Sequence, residues 1–141
     1  MPKSSSPLQP EGFAHPSPLA EVFAIALGGA LGACLRYAVA LGSRAADQHV
    51  AWATATANVI GAFALGFVFR WLSESRGHPL LRPFMVVGLL GSFTTFSALA
   101  FDNRMLASNE SELVATLHLA VSILSGLLAF AVGAMLGRGE R

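Results

Sequence analysis

The most constraining feature of this chain is a series of four apolar stretches, each about as long as a membrane-spanning helix. A bilayer core requires about 20 predominantly apolar residues per spanning helix. The stretches cover residues 19–42, 50–69, 83–101 and 113–137 and are joined by short polar connections. They predict an all-α membrane protein with one domain of four transmembrane helices at 19–137 and a short tail at 138–141.

Composition supports this class and excludes others. Only 12% of the 141 residues are charged and mean hydropathy is +0.60, whereas soluble domains carry about 25% charge. A net charge of +1 gives no basic face for nucleic acid, and the single cysteine, Cys34, excludes an intrachain disulfide. Residues 1–18 are rich in proline and lack an apolar run, which predicts a disordered tail.

The first span contains a charge. Gly28, Gly32 and Arg36 are spaced by four residues and share a helix face, where small residues let helices pack closely. A charge within a span usually faces the protein interior or a water-filled cavity. We predict that Arg36 lies in a vestibule and either anchors helix ends or attracts anions, with snorkelling to the interface as the alternative.

The second span carries Thr54 and Asn58 one turn apart, and Asn58 is the only carboxamide in any predicted span. An uncharged amide has two N–H donors and one acceptor. It can join helices by a hydrogen bond, or it can donate to a dehydrated anion. The sequence leaves both interpretations open.

The fourth span places His118, Ser122 and Gly126 on one face. The histidine can be a proton carrier or a buried side chain with satisfied hydrogen bonds. With Ser122 it would form a polar track along that face.

The stretch "GLLGSFTTFSAL" at 88–99 contains helix-weakening glycine and threonine at its centre. Irregular backbone at bilayer depth is tolerated only where it is buried in protein or lines a cavity. A break there would free carbonyls that suit Na⁺. The ring edge of Phe96 and the hydroxyls of Thr95 and Ser97 could then meet an anion. The pattern indicates a narrow, uncharged anion path beside a fixed cation.

The sequence places Glu21 and Asp102 at the edges of the predicted spans, so no carboxylate is expected inside one. Small proton-coupled exporters of organic cations need such a carboxylate. Neither a nucleophile–base pair nor an intramembrane metal cluster is evident, and we predict that the chain is not an enzyme.

The chain resembles the fluoride channels called Fluc or CrcB from about residue 27 to 137. The resemblance is carried by "GGALGACLRY" at 28–37, "ATATANVIGAF" at 53–63 (with Ala57 and Asn58 near its centre) and the "TTFS" of the third span. It implies a bacterial inner-membrane protein that forms a dimer of antiparallel subunits with dual topology. It also implies two fluoride pores and a structural Na⁺ between the broken third helices.

Carried over by position, Gly91 and Thr94 would offer backbone carbonyls to Na⁺. Asn58 would be the pore amide and Thr54 the hydroxyl one turn before it. Phe96 matches the first phenylalanine of the family's pore, and Thr95 and Ser97 match the hydroxyls beside it. Arg36 matches the arginine near the pore mouth. In the fourth-helix polar track, His118 stands where the family has a tyrosine or another polar residue, with Ser122 one turn on.

The chain departs from the family pattern "TTFSTF", because Ala98 and Leu99 replace the last two residues. Positive charges are also more frequent on the side predicted for the two termini, which favours cytoplasmic termini. Both features suit one half of a heterodimer with an oppositely oriented relative, although a homodimer is our default.

We therefore predict a fluoride-specific channel that passively exports fluoride across the lipid bilayer. The alternatives are a small proton-coupled multidrug exporter and a non-conducting structural subunit.

Overall fold

A computed structural model describes residues 16–45, 50–74 and 78–137, and every regular element in these ranges is helical. The helices are α1 (Pro18–Ala45), α2 (Val50–Glu74), α3 (Pro83–Leu90 continued by Gly91–Phe93), α4 (Phe96–Asn109) and α5 (Glu112–Leu136). Four spans are long and apolar enough to cross a membrane, with α3 and α4 forming one of them. The predicted all-α, four-span fold with a broken third span is confirmed.

The predicted tails fall mostly outside the described residues, which begin at residue 16 and end at 137. The hydroxyl of Ser17 accepts a hydrogen bond from the Ala20 N–H at 3.2 Å. Proline suits the first helical position because the N–H that it lacks has no partner there. Ser17 and Pro18 therefore define where α1 begins.

Three helices extend beyond the predicted spans, the first being α1, which continues past Gly42 to Ala45. α2 continues past Phe69 to Glu74, and the third span continues past Phe101 to Asn109. A charge ends an apolar run but does not end a helix, because long side chains such as Arg70 extend towards the membrane surface. After Asn109 only Glu110 and Ser111 connect α4 to α5. Ser111 caps α5 by accepting from the Val114 N–H at 3.2 Å.

The prediction that Asp102 marks the edge of a span is wrong. Asp102 lies within α4 and is only 8% exposed. It shares a buried stripe with Leu99 and Leu106 at helical spacing, so the helix turns its carboxylate inwards. A buried carboxylate is therefore present in the third span, contrary to the sequence-based expectation.

Glycines set the contact between α1 and α3. A Cβ added to Gly28 would lie 2.9 Å from the backbone nitrogen of Leu89, and one added to Gly88 would lie 2.9 Å from the Gly28 Cα. The crossing therefore tolerates no side chain at either position. The facing segment Pro83–Leu90 is π-helical, a rare helix type that often marks functional sites.

α2 and α5 pack by the same means. A Cβ added to Gly66 would lie 2.9 Å from the Ala134 nitrogen, and one added to Gly133 would lie 3.0 Å from the Phe67 nitrogen. At the opposite end of this helix pair, Ala51, Leu106 and Ala115 form a small buried cluster that also joins α4. Small residues thus bring the helices together, as is usual in membranes.

Candidate functional site at the break in the third span

The third span is interrupted at Thr94 and Thr95, which both adopt extended backbone conformations. Thr94 has φ −84° and ψ 147°, and Thr95 has φ −151° and ψ 123°. The helix resumes at Phe96, with the Thr95 hydroxyl accepting from the Ala98 N–H at 3.3 Å. Thr95 is therefore the N-cap of α4, a role that threonine commonly fills.

Asn58 on α2 braces this break. Its Oδ1 accepts from the Thr95 N–H at 2.8 Å, and its Nδ2 donates to the Thr95 carbonyl at 3.2 Å. The pair fixes the orientation of the amide, because only the oxygen can accept from an N–H. One of the two amide hydrogens serves Thr95 and the second remains for another acceptor. The two sequence interpretations of Asn58, interhelical bond and anion donor, are thus compatible.

Because of these hydrogen bonds, two backbone carbonyls lose the N–H donors that they would have in a regular helix. In a continuous helix the Thr95 N–H would bond to the Gly91 carbonyl, and the Ala98 N–H would bond to the Thr94 carbonyl. Here the side-chain oxygens of Asn58 and Thr95 take those N–H groups instead. The carbonyls of Gly91 and Thr94, the two that the sequence predicts for Na⁺, are therefore released from these helical bonds.

Two further interactions stabilise the N-terminal side of the break. The Thr94 hydroxyl donates back to the Leu90 carbonyl at 2.9 Å. Arg36 on α1 donates from Nε to the Ser92 carbonyl at 3.2 Å and is partly buried. The structure thus places Arg36 against a helix end, which is one of the two roles that the sequence predicts.

A cavity of about 370 Å³ opens beside the break, between α1, α2 and α4. Its lining contains four side chains with polar groups, namely Arg36, Tyr37, Thr54 and Asp102. The remaining lining residues are Ala33, Ala40, Ala53, Ala98 and Phe101. Arg36 and Thr54 thus line the same cavity, and Asp102 adds a carboxylate that was not expected there.

Phe96 and Ser97 directly follow the break, and both side chains are exposed. Phe96 is 74% exposed, and Ser97 is exposed with its hydroxyl 2.9 Å from that of Thr95. Leu99, by contrast, is 4% exposed. Position 99 therefore faces the interior of the helix bundle, whereas position 96 faces outwards.

His118 and Ser122 lie at the α2–α5 contact and are 4% and 5% exposed. The His118 Nε2 is 3.2 Å from the Ala51 carbonyl oxygen, and its ring meets that of Trp52 edge-on at 5.4 Å. In the part of the chain that the structure describes, no hydrogen bond joins either residue to the break.

Gly61 was not among the predicted site residues. A Cβ there would lie 2.9 Å from the Phe93 ring and still closer to the Thr94 methyl group, so this glycine lets α2 approach the break. Its position in a row of small residues with Ala57, one turn from Asn58, was an available signal. The burial of Asp102 within a helix was not predicted, because the polar residues after it suggested a loop.

Fold and site together define a small multi-pass membrane protein with a polar, braced break in its third span. Residues 23–134 match the family described as CrcB-like protein, Camphor Resistance (CrcB). The chain therefore belongs to the CrcB family.

Relatives support this assignment. The chain is 43% identical over 119 residues to "Fluoride-specific ion channel FluC 2" of Nocardia farcinica, covering 84% of this chain and 82% of that protein. It is 34% identical to "Fluoride-specific ion channel FluC" of Flavobacterium psychrophilum, covering 83% of this chain and 96% of the relative. The protein of the same name from Aeromonas salmonicida is 36% identical over 102 residues, covering 70% and 81%.

Proposed function

We propose that this protein is a fluoride-specific channel that conducts fluoride passively out of the bacterial cell. The observation that carries the proposal is the break at Thr94 and Thr95, braced by Asn58 beside the exposed ring of Phe96. The names of the relatives agree with it. The driving force would be the membrane potential, which is worth about 2.3 kcal/mol per charge per 100 mV.

The site offers donors without fixed positive charge. The second amide hydrogen of Asn58, the hydroxyls of Thr95 and Ser97 and the ring edge of Phe96 would replace water around the anion. Thr54 would contribute a hydroxyl in the vestibule, with Arg36 supplying positive potential there. His118 and Ser122 would extend the path along α5. A path of weak, successive contacts lets an ion enter and leave.

The active form is, in this proposal, a dimer of antiparallel subunits. The 74% exposure of Phe96 supports it, because a second subunit would cover this ring and complete the wall of the path. A homodimer with dual topology is our default. A heterodimer with an oppositely oriented relative is the alternative.

The released carbonyls of Gly91 and Thr94 suit a structural Na⁺, which prefers oxygen ligands. One subunit offers two such carbonyls at mid-span, and a second copy would bring another pair. The ion would supply positive charge that holds the two breaks together and would not be transported. Replacing Na⁺ with a large organic cation during purification should then lower the thermal stability of the dimer.

Asp102 supports a second candidate. A buried carboxylate within a span suits proton-coupled export of organic cations, which the sequence analysis had set aside for want of one. This alternative predicts proton-driven uptake of an organic cation into vesicles, and Asp102→Asn should abolish that uptake.

Fluoride efflux from vesicles that contain this chain alone tests the proposal. Vesicles loaded with potassium fluoride should release fluoride rapidly when a potassium ionophore balances the charge, and slowly without the ionophore. Vesicles loaded with chloride should retain it. Release no faster than from protein-free vesicles would contradict channel activity by a homodimer and favour the heterodimer, the exporter or a non-conducting structural subunit.

A further inference from the structure

Another cavity, of about 240 Å³, lies between the last turns of α2 and the start of α3. Its lining combines apolar and polar side chains, namely Phe69, Leu72, Ser73, Arg82 and Val86, and none of these residues belongs to the break. The volume equals that of about eight water molecules in the liquid, which is room for a phosphate group and the carbons next to it. The cavity can therefore hold part of a ligand that has a polar and an apolar end.

This cavity lies where the apolar stretches of both helices end. Phe69 is the last residue of an uncharged run in α2 and is followed by Arg70, and Arg82 directly precedes the apolar run that begins at Pro83. Trp71, on the same turn of α2, is exposed, and tryptophan is enriched at the level of the lipid headgroups. The polar side of the cavity would therefore meet headgroups, and its apolar side would meet acyl chains.

The guanidinium of Arg82 is positioned by an aromatic ring. Its Cζ lies 5.9 Å from the centroid of the Phe69 ring, within the range of a cation–π interaction. Among the residues that the structure describes, no hydrogen bond or ion pair engages Arg82. Because the ring contributes no oxygen acceptor, the N–H donors of the guanidinium remain for an oxyanion, and arginine can bind phosphate through two parallel hydrogen bonds.

The connection between the two helices carries an excess of positive charge. Residues 70–82 contain three arginines, Arg70, Arg76 and Arg82, against one acidic residue, Glu74. The Ser73 hydroxyl donates to the Arg70 carbonyl at 2.7 Å, so Arg82 is the side chain of the described lining that has donors to spare. Basic pockets between transmembrane helices are typical sites for phosphate headgroups of anionic lipids.

We propose that this cavity binds phosphatidylglycerol, an anionic phospholipid, with the lipid phosphate at the Arg82 guanidinium and an acyl chain along Phe69 and Val86. A phospholipid is favoured over a free phosphate because apolar side chains surround the single cation of the lining. An anionic headgroup is favoured over a zwitterionic one because the connection has excess positive charge. The bound lipid would join the ends of α2 and α3, and the site is independent of the proposed fluoride conduction.

The test measures the thermal midpoint of the purified full chain in a mild detergent while a ligand is added. A ligand that binds the folded protein alone raises the midpoint in a concentration-dependent way. Short-chain phosphatidylglycerol should raise it to a plateau. Phosphatidylcholine with the same chains lacks the net negative charge, and glycerol phosphate lacks the chains. Both should raise the midpoint much less at equal concentration.

Arg82→Gln tests the contact with the phosphate. The concentration of phosphatidylglycerol for a half-maximal effect should rise about fivefold, which corresponds to the contribution of one basic residue at an anionic membrane surface. Arg44→Gln is the matched control, because Arg44 is also an exposed arginine, in the last turn of α1, and it does not line this cavity. Its response to the lipid should equal that of the wild type.

Each possible outcome decides the proposal. Equal stabilisation by the two lipids, or equal lipid responses of Arg82→Gln and Arg44→Gln, would overturn the site. Glycerol phosphate as effective as phosphatidylglycerol would replace the lipid with a free phosphate and so would also overturn it. If Arg82→Gln does not assemble, the comparison of the three ligands on the wild-type protein decides. Fluoride flux enters none of these measurements, so failure here leaves the proposed conduction untouched.

Discussion

The side-chain amide of Asn58 and the backbone of Thr95 form two opposed hydrogen bonds, 2.8 Å and 3.2 Å long, between α2 and the break in the third span. This pairing satisfies the backbone of a residue that leaves the helix at bilayer depth, where an unpaired group is costly. It also fixes the direction of the second amide hydrogen of Asn58, which does not bond to Thr95. The structural role of Asn58 and its proposed role in conduction would therefore meet in one side chain.

Asn58→Asp should lower fluoride flux at least about a hundredfold, equivalent to about 2.7 kcal/mol of barrier. Aspartate still accepts from Thr95 but cannot donate to its carbonyl, and it places a negative charge beside the anion. Vesicle efflux measures the flux, and gel filtration checks assembly. Asn109→Asp makes the same chemical change at the exposed end of α4 and should conduct normally. If fluoride efflux through Asn58→Asp is undiminished, the role of Asn58 is restricted to the hydrogen bonds that stabilise the break.

Phe96→Ile should also reduce fluoride flux strongly. Isoleucine retains apolar bulk but lacks the positive ring edge. Phe23→Ile is the control, because Phe23 is a similarly exposed phenylalanine on α1, at 62%. If both variants conduct like the wild type, the ring of Phe96 serves only packing between subunits.

Leu99→Phe tests the departure from the family pattern. Leu99 is 4% exposed, so the larger ring must displace neighbours, at a cost of about 1–3 kcal/mol. We expect a lower thermal midpoint in detergent. Leu124→Phe, at a position that is 60% exposed on α5, should change the midpoint little. A stable Leu99→Phe variant with increased flux would show that the fold accepts a second ring there.

Gly61→Ala should disturb the break itself. The added methyl group would lie 2.9 Å from the Phe93 ring, and overpacking of this kind costs about 1–3 kcal/mol. We expect reduced thermal stability and reduced flux. Gly42→Ala is the matched control, because nothing lies within 4 Å of a Cβ there. Equal behaviour of the two variants would contradict the close approach of α2 to the break.

Cysteine labelling tests the orientation of the chain in the membrane. After Cys34→Ala removes the native thiol, Ser4→Cys and Ser108→Cys should each be labelled from both sides if the protein has dual topology. Labelling of position 4 only from inside and of position 108 only from outside would instead support a heterodimer with fixed orientation.

The sequence was sufficient for the features that depend on local chemistry. Apolar length predicted the four spans, and the glycine and threonine residues of 88–99 predicted the break, because both signals act over a few residues. Asp102 was misplaced because burial depends on which face of α4 meets the other helices. The pairing of Asn58 with Thr95 spans 37 residues, and local pattern cannot specify such a register.

The N–H, carbonyl and hydroxyl of Thr95 are all engaged at the break. Straightening the third span into a continuous helix would return the N–H groups of Thr95 and Ala98 to helical bonds, but the Asn58 amide would lose both of its partners and α2 would separate from the break. The break is therefore a poor hinge. A pathway built around it would keep one shape whether or not an ion is passing, and its throughput would be set by ion supply and voltage, with no opening and closing of this element.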